Sequence, residues 1–164
     1  CYGLETVGIR YFNVFGERQD PTSQYSGVIA KFSRLMLSGQ RPTVFGDGTV
    51  SRDFTHVSNV VEGNILASEV SAHDVSGEII NVACGSNISL NELVNTLNKI
   101  LKTALDPIYE SPRRGDIAHS CADISKAKRL LGYEPQVSFS EGLKKTVSWY
   151  ASQSEHYAQP VSTV

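Results

Sequence analysis

The 164-residue sequence has little of what marks a membrane or nucleic-acid-binding protein. Its longest apolar run is a few residues, far below the roughly 20 that a helix needs to cross a bilayer. Fifteen Lys and Arg against 17 Asp and Glu give a net charge of −2, which excludes the basic surface that binds nucleic acid or an anionic membrane. We therefore expect a cytoplasmic protein without nucleic-acid or membrane partners, long enough for one hydrophobic core.

Cysteine is scarce as well. Cys1, Cys84 and Cys121 are odd in number and widely spaced, and the sequence contains no C-x-x-C pair. This pattern excludes a disulfide framework and a cysteine-based zinc site. We expect buried free thiols.

The common catalytic motifs are missing too. The sequence contains no H-E-x-x-H, no G-x-S-x-G, no G-x-x-x-x-G-K-[ST] and no G-x-G-x-x-G after a strand. Its four histidines lack metal-ligand spacing, so no metal site is predicted. Motifs alone predict groups that hold a ligand, without groups that transform it.

What is present alternates between short apolar runs and amphipathic stretches, which predicts an α/β fold. Residues 4–16 open with a β-branched and aromatic run, typical of a strand that is buried on both faces of a parallel sheet. Further predicted strands cover 42–45, 50–56 and 78–83, and predicted helices begin near residues 28, 58, 89, 125 and 138.

Two details of the helices can be checked directly. Ser89 with Glu92, and Ser138 with Glu141, have the spacing of capping boxes. In the helix over 58–69, hydrophobicity predicts that the apolar side chains at 57, 60, 61 and 65 face inward.

The position of the first strand bears on domain organisation. Parallel strands are joined by crossover helices, and no such unit precedes residues 4–16. Together with the absence of an initiator Met, this predicts that Cys1 lies inside a longer protein whose upstream part completes the sheet.

Three polar clusters in predicted loops could hold a ligand. Asn13 follows the first strand, at the edge where α/β sheets bind ligands, although it could equally cap the following turn. Arg52 could present its planar fork to a phosphate, and an ion pair with Asp47 or Asp53 is the alternative. The cluster 113–116 combines two cations with a carboxylate and suits a phosphorylated sugar.

Beyond these clusters, a series of strings occurs in a fixed order: IRYFNVFG at 9–16, RQDP at 18–21, FGDG at 45–48, SRDF at 51–54, R-x-G-D at 113–116, HS at 119–120, AD at 122–123 and LGY at 131–133. This order resembles the NAD-dependent nucleotide-sugar epimerase/dehydratase family, the extended short-chain dehydrogenases. Within it the strings look most like those of UDP-glucose and UDP-N-acetylglucosamine 4-epimerases. The resemblance extends to about Tyr150.

The resemblance implies a domain organisation. The chain would be the C-terminal part of an extended Rossmann-type enzyme, with a few sheet strands and a smaller mixed α/β substrate-binding region. Residues 1–153 would form this substrate-binding portion, residues 154–164 a loose tail, and the N-terminal NAD-binding domain would be absent. The intact enzyme would be a homodimer.

The resemblance also implies roles for polar side chains. Asn13 matches an Asn that hydrogen-bonds the substrate diphosphate, and Arg52 and Arg113 match two arginines that clamp it. Asp116 matches a carboxylate that accepts a hydrogen bond from the nucleotide ribose. Ser120 matches a position beside the C2 group of the sugar, where a small residue leaves room for an N-acetyl group.

Apolar and glycine positions can be matched in the same way. Phe12 matches a residue beside the nicotinamide of NAD, while Gly27 and Val28 match a backbone stretch that lines the nucleotide site. Val44 and Phe45 match the segment against which uracil sits, where an aromatic face suits a flat base.

In the family, NAD takes a hydride from C4 of the sugar and returns it to the other face, so the cofactor carries the redox step. The resemblance assigns that work to a G-x-x-G-x-x-G loop, a Ser or Thr, and a Y-x-x-x-K pair. Neither the glycine-rich loop nor Y-x-x-x-K occurs in this sequence. We therefore assign no catalytic residue, and expect a chain that binds UDP-sugars and does not epimerise them, with NAD bound mainly by the missing N-terminal half. A nucleotide-sugar dehydratase or decarboxylase, or a stand-alone binding module, are the alternatives.

Overall fold

The computed structural model of the protein describes residues 2–23 and 27–153. Strands in these ranges are β1 (Gly8–Tyr11), β2 (Val14–Phe15), β3 (Thr43–Phe45), β4 (Ser51–Arg52), β5 (Thr55–His56), β6 (Ile79–Val82), β7 (Ile88–Ser89), β8 (Ile108–Glu110) and β9 (His119–Ser120). Helices are α1 (Val28–Leu37), α2 (Val57–Glu69), α3 (Ala72–Val75), α4 (Leu90–Leu101), α5 (Ser125–Leu131) and α6 (Phe139–Ser152). The predicted α/β class is confirmed. Cys1 and the predicted tail at 154–164 lie outside the described residues.

Parallel pairing brings distant segments together. β1 pairs with β6, β2 with β5 and β3 with β8, all in parallel. β4 is the middle strand of a mixed sheet, antiparallel to β7 and parallel to β9. In this sheet Arg52 is in register with Ser120, and Arg52, of the second polar cluster, lies 2.6 Å from Asp116, of the third. No helix in the part of the chain that the structure describes is long and apolar enough to span a membrane.

The predicted first strand is shorter and more exposed than expected. It divides into β1 and β2 on either side of Asn13, whose φ of 35° lies in the left-handed region and interrupts the extended backbone. Gly8, Arg10 and Tyr11 are exposed, since β6 is the one strand paired with β1 among the described residues. The prediction that this strand is buried on both faces is wrong for this structure.

The main core lies where α1, α4 and α6 pack together. The capping box of α4 is confirmed: Ser89 Oγ accepts from the Glu92 N–H at 3.2 Å, and Glu92 Oε2 accepts from the Ser89 N–H at 2.8 Å. At α6 one half of the box forms, since Ser138 Oγ accepts from the Glu141 N–H at 3.3 Å. The Glu141 carboxylate instead lies 2.9 Å from Nζ of Lys145.

The buried face of α2 agrees only in part with the one that hydrophobicity predicts: Val60 is buried, as predicted. Val61 and Ile65 are 50% and 45% exposed, so their predicted inward orientation is wrong. The buried positions include Asn59, Gly63 and Ala67, spaced four residues apart. A Cβ at Gly63 would lie 2.7 Å from a methyl group of β6, so the close approach of helix and strand selects the face with small side chains.

The cysteines differ from one another. Cys84 and Cys121 are free thiols, as predicted, but Cys121 is exposed and Cys84 only half-buried. The expectation of burial is therefore wrong for Cys121. Burial raises the pKa of the Cys84 thiol, which keeps it protonated near neutral pH.

Candidate functional site

A cleft of about 450 Å³ opens between α1 and the strands β2, β3 and β4. It collects residues that the sequence places in five separate segments, at 13–19, 27–35, 43–54, 90 and 113–116. Seven of the ten predicted binding residues line it: Asn13, Gly27, Val28, Phe45, Arg52, Arg113 and Asp116.

The other three predicted residues lie around the cleft without lining it. Phe12 is half-buried and packs against a small apolar cluster that includes Ala83 and Ile124. Val44 is fully buried in the main core, so its side chain points away from the cleft. Ser120 lies in β9 beside Arg52 and is half-buried.

Arg52 is held in place by three contacts. Its Nη2 donates to Oδ1 of Asp116 at 2.6 Å, and its Nη1 donates to the carbonyl oxygens of Ser51 and Ile117 at 2.8 and 2.5 Å. The Arg52 side chain is 18% exposed. The sequence left open an ion pair with Asp47 or Asp53, but the partner is Asp116, 64 residues away.

Arg113 is held more loosely. Its guanidinium carbon lies 3.8 Å from the centroid of the Phe45 ring, a cation–π contact. Both residues also line a second cavity, of about 770 Å³, which contains Tyr109 and Glu110. Arg113 therefore stands between two spaces, and one contact is a weaker restraint on its direction than the three that hold Arg52.

Asn13 adds an amide to the cleft. Its Nδ2 donates to the Asp53 carbonyl at 3.2 Å, and its own carbonyl accepts from the Thr55 N–H at 3.3 Å. The side-chain bond reaches 40 residues along the chain, so Asn13 does not act as the local turn cap that the sequence left open. Asn is among the residues that tolerate positive φ, which explains an Asn at this position.

Asp53 is a key residue whose role the sequence did not reveal. It is 0% exposed, and its carboxylate accepts from the backbone N–H groups of Cys84, Gly85 and Ala122 at 3.0, 2.9 and 3.2 Å. Such bonds offset the cost of burying a carboxylate. Asp53 therefore ties the segment after β4 to the ends of β6 and β9. The available signal was an Asp within the predicted strand at 50–56.

His56 is a buried residue that packs against the wall of the cleft. It is 1% exposed, its Nδ1 accepts from the Ser58 N–H at 3.3 Å, and its ring lies 5.4 Å from that of Phe15, which lines the cleft. Burial lowers the pKa of His56, and the Glu17 carboxylate, 3.3 Å from Nε2, opposes this effect. A neutral imidazole is the form that this environment favours.

The cleft thus combines cations, an amide, a carboxylate and an aromatic ring. This set can hold an anionic group together with a flat apolar one. Within 2–23 and 27–153, no group of three His, Cys, Asp or Glu side chains could hold a metal ion.

Comparisons with known proteins agree with this chemistry. The model of the NAD-dependent epimerase/dehydratase family matches residues 1–83. A putative UDP-glucose 4-epimerase of Methanocaldococcus jannaschii is 38% identical over 90% of this chain and 46% of its own length. The chain spans about half the length of the curated relatives that it matches.

Two solved structures share the fold. UDP-glucose 4-epimerase of Thermotoga maritima, determined with UDP-glucose, is 41% identical with a TM-score of 0.86. UDP-N-acetylglucosamine 4-epimerase of Methanobrevibacter ruminantium, determined with UDP-N-acetylmuramic acid, is 42% identical with a TM-score of 0.85. Each alignment covers 93% of this chain and 48% of the other. The chain belongs to the NAD-dependent epimerase/dehydratase family.

Proposed function

We propose that the chain supplies the nucleotide-sugar-binding part of an NAD-dependent UDP-sugar 4-epimerase. The observation that carries the proposal is the convergence of Arg52, Arg113 and Asp116 on one cleft from segments more than 60 residues apart. The two solved relatives described above are named as UDP-sugar 4-epimerases, which supports the same assignment.

In this proposal the diphosphate lies between the two arginines, because guanidinium forks match phosphate oxygens in geometry and charge. Asn13 donates a hydrogen bond from its Nδ2 to the same anion. Asp116 accepts from the ribose with its second oxygen, while its first oxygen holds Arg52.

The base is assigned to the segment at Val44 and Phe45. Since the Val44 side chain is buried, this residue can contribute its backbone alone, whereas Phe45 offers its ring. Gly27 and Val28 complete the wall at the start of α1.

NAD, when bound, supplies the redox chemistry by accepting a hydride from C4 of the sugar and returning it. The chain offers one residue to this group, Phe12, a half-buried apolar side chain directly after β1. The carboxyl edge of a parallel sheet is where nucleotide cofactors bind, so its position fits the edge of a nicotinamide. The remainder of the NAD site is assigned to a part of the enzyme outside this chain.

We further propose that the 164-residue chain cannot interconvert UDP-sugars alone, since its sequence contains no Y-x-x-x-K pair. Purified chain supplied with NAD and UDP-glucose is expected to give no UDP-galactose by chromatography. Measurable turnover would overturn this statement.

Other activities of the family share the same binding cleft. The family name itself spans dehydratases, and a decarboxylase would need the same contacts to the diphosphate. Product analysis of the full-length enzyme separates them: an epimerase returns a sugar of unchanged mass, a dehydratase loses water and a decarboxylase loses carbon dioxide. A stand-alone binding module would bind UDP-sugars and give none of these products.

We also propose that the intact enzyme is a cytoplasmic homodimer. Light scattering after size-exclusion chromatography would test the oligomeric state.

Calorimetry with UDP tests the binding proposal. Arg113→Ala is the preferred variant, because Arg52 also anchors the loop that contains Asp116. Arg129→Ala is the matched control, since this exposed arginine lies on α5, which packs against β6 and α2 and contributes nothing to the cleft. We expect UDP affinity to fall roughly tenfold or more in Arg113→Ala, and to stay unchanged in Arg129→Ala. Equal affinities in the two variants would refute the assignment.

A further inference from the structure

One face of α1 forms a wall of the cleft. The side chains at 28, 31, 32 and 35 line it, at the spacing of a single helical stripe. Val28, Phe32 and Leu35 are apolar, and Lys31 is the one charged residue of this stripe. Lys31 is exposed, and among the described residues no carboxylate pairs with its Nζ.

The charges around the cleft show what Lys31 contributes. The charged residues that line it are Lys31, Arg52, Arg113 and Asp116. Arg52 and Asp116 form a 2.6 Å ion pair, so their charges largely cancel. Of the two arginines, Arg113 alone would then bring an uncompensated charge to a diphosphate, in which each phosphoryl group is anionic. Lys31 is the other cation of the cleft whose charge no carboxylate of the described residues compensates.

The N-terminal end of α1 also favours a bound anion. Gly27, the N-cap, provides no side-chain hydrogen bond, and the first turn contains no acidic residue. The N–H groups of this turn and the helix dipole therefore favour negative charge at the same end of the cleft. Lys31 lies one turn into the helix, and its flexible stem lets the ammonium group reach toward that end.

We infer that Lys31 is a further binding residue of the nucleotide site and contacts the diphosphate together with Arg113. This inference rests on the proposed function. Arg52 keeps its place beside the diphosphate, but Asp116 compensates its charge, so Lys31 and Arg113 supply the uncompensated positive charge.

The test compares Lys31→Gln with Lys144→Gln, an exposed lysine of α6 that does not line the cleft. Calorimetry with UDP and with uridine, at low and high salt, reads out the charge. We expect the Kd for UDP to rise about tenfold in Lys31→Gln at low salt. This figure already allows for the solvent exposure of Lys31, which weakens its attraction to the diphosphate. The Kd for uridine should stay unchanged, because uridine lacks the diphosphate. Lys31→Arg should retain most of the affinity, and Lys144→Gln all of it.

The outcomes separate this inference from the proposed function. If Arg113→Ala weakens UDP binding and Lys31→Gln does not, the inference is wrong and the proposed function stands. If neither variant weakens it, both are wrong. If Lys31→Gln weakens uridine as much as UDP, Lys31 acts through the shape of α1 and the inference is overturned. Loss of UDP affinity alone, with reduced salt sensitivity, supports it.

Discussion

Replacing Asp53 by Asn should destabilise the protein although the two side chains have nearly the same shape. The Asp53 carboxylate accepts three backbone N–H bonds in a fully buried position. Asn keeps one oxygen and turns the other into an N–H donor. If the oxygen faces Gly85 and Ala122, the Cys84 N–H is left without an acceptor and meets a second donor. The opposite orientation loses two bonds.

The magnitude follows from these losses. A hydrogen bond to a charged group contributes roughly 1.5–3 kcal/mol, and a buried donor left unpaired costs about 1–3 kcal/mol. The removal of a buried charge offsets part of this cost. We expect the free energy of unfolding to fall by about 2–4 kcal/mol.

Urea denaturation followed by circular dichroism measures this difference. Asp47→Asn is the control, because the exposed Asp47 accepts locally from Thr49 and should change stability by less than about 1 kcal/mol. An Asp53→Asn midpoint equal to that of the control would refute the reasoning. It would mean that the three N–H groups do not depend on the carboxylate. Asp53→Asn should also lower the affinity for UDP, because Asp53 fixes the end of the strand next to Arg52.

Three further predictions concern other parts of the molecule. Since burial lowers the pKa of His56, the unfolded state takes up a proton near pH 6.5 and the folded state only at lower pH. The free energy of unfolding should therefore decrease as the pH falls below about 6.5, and His56→Gln should flatten this part of a stability profile measured by thermal melting. Gly63→Ala should lower the free energy of unfolding, measured by urea denaturation, by about 1–3 kcal/mol, because the added Cβ would overlap β6. Val61→Ala, on the exposed side of α2, is the control and should change this free energy little. Equal losses in the two variants would contradict the packing described. Ser120→Tyr should weaken the binding of UDP-N-acetylglucosamine more than that of UDP-glucose in paired titrations, and an equal effect on both ligands would remove Ser120 from sugar recognition.

The long helices could be predicted from the sequence because each has several turns of periodic pattern. α1, α4 and α6 lie where apolar spacing and capping residues place them. β7 and β9 contain two residues each and α3 contains four, too few for any period to appear. α2 was located correctly and Val60 was correctly predicted to be buried, but Val61 and Ile65 were wrongly predicted to face inward, since the close approach of β6 selects the face with small side chains.

The candidate site shows the same division. Each polar cluster could be identified from residue type and loop position, and the family resemblance supplied the roles. The Arg52–Asp116 pair could not be predicted from spacing, because it depends on how β4 and β9 align. The role of Asp53 was missed for a similar reason: its three partners belong to segments more than 30 residues away. Contacts between residues that are far apart in the sequence cannot be predicted from local residue patterns.

The hydrogen bonds from Arg52 to the segment before β9 have a consequence for ligand binding. One guanidinium joins β4 to both Asp116 and Ile117, so this wall of the cleft is ordered in the folded chain. A ligand that meets a preorganised wall loses less affinity to loop ordering than one that must fold the loop around itself. Arg113, held by a single cation–π contact, leaves the other side of the cleft less constrained, so the wall at Arg52 is the better-defined surface against which a ligand would be positioned.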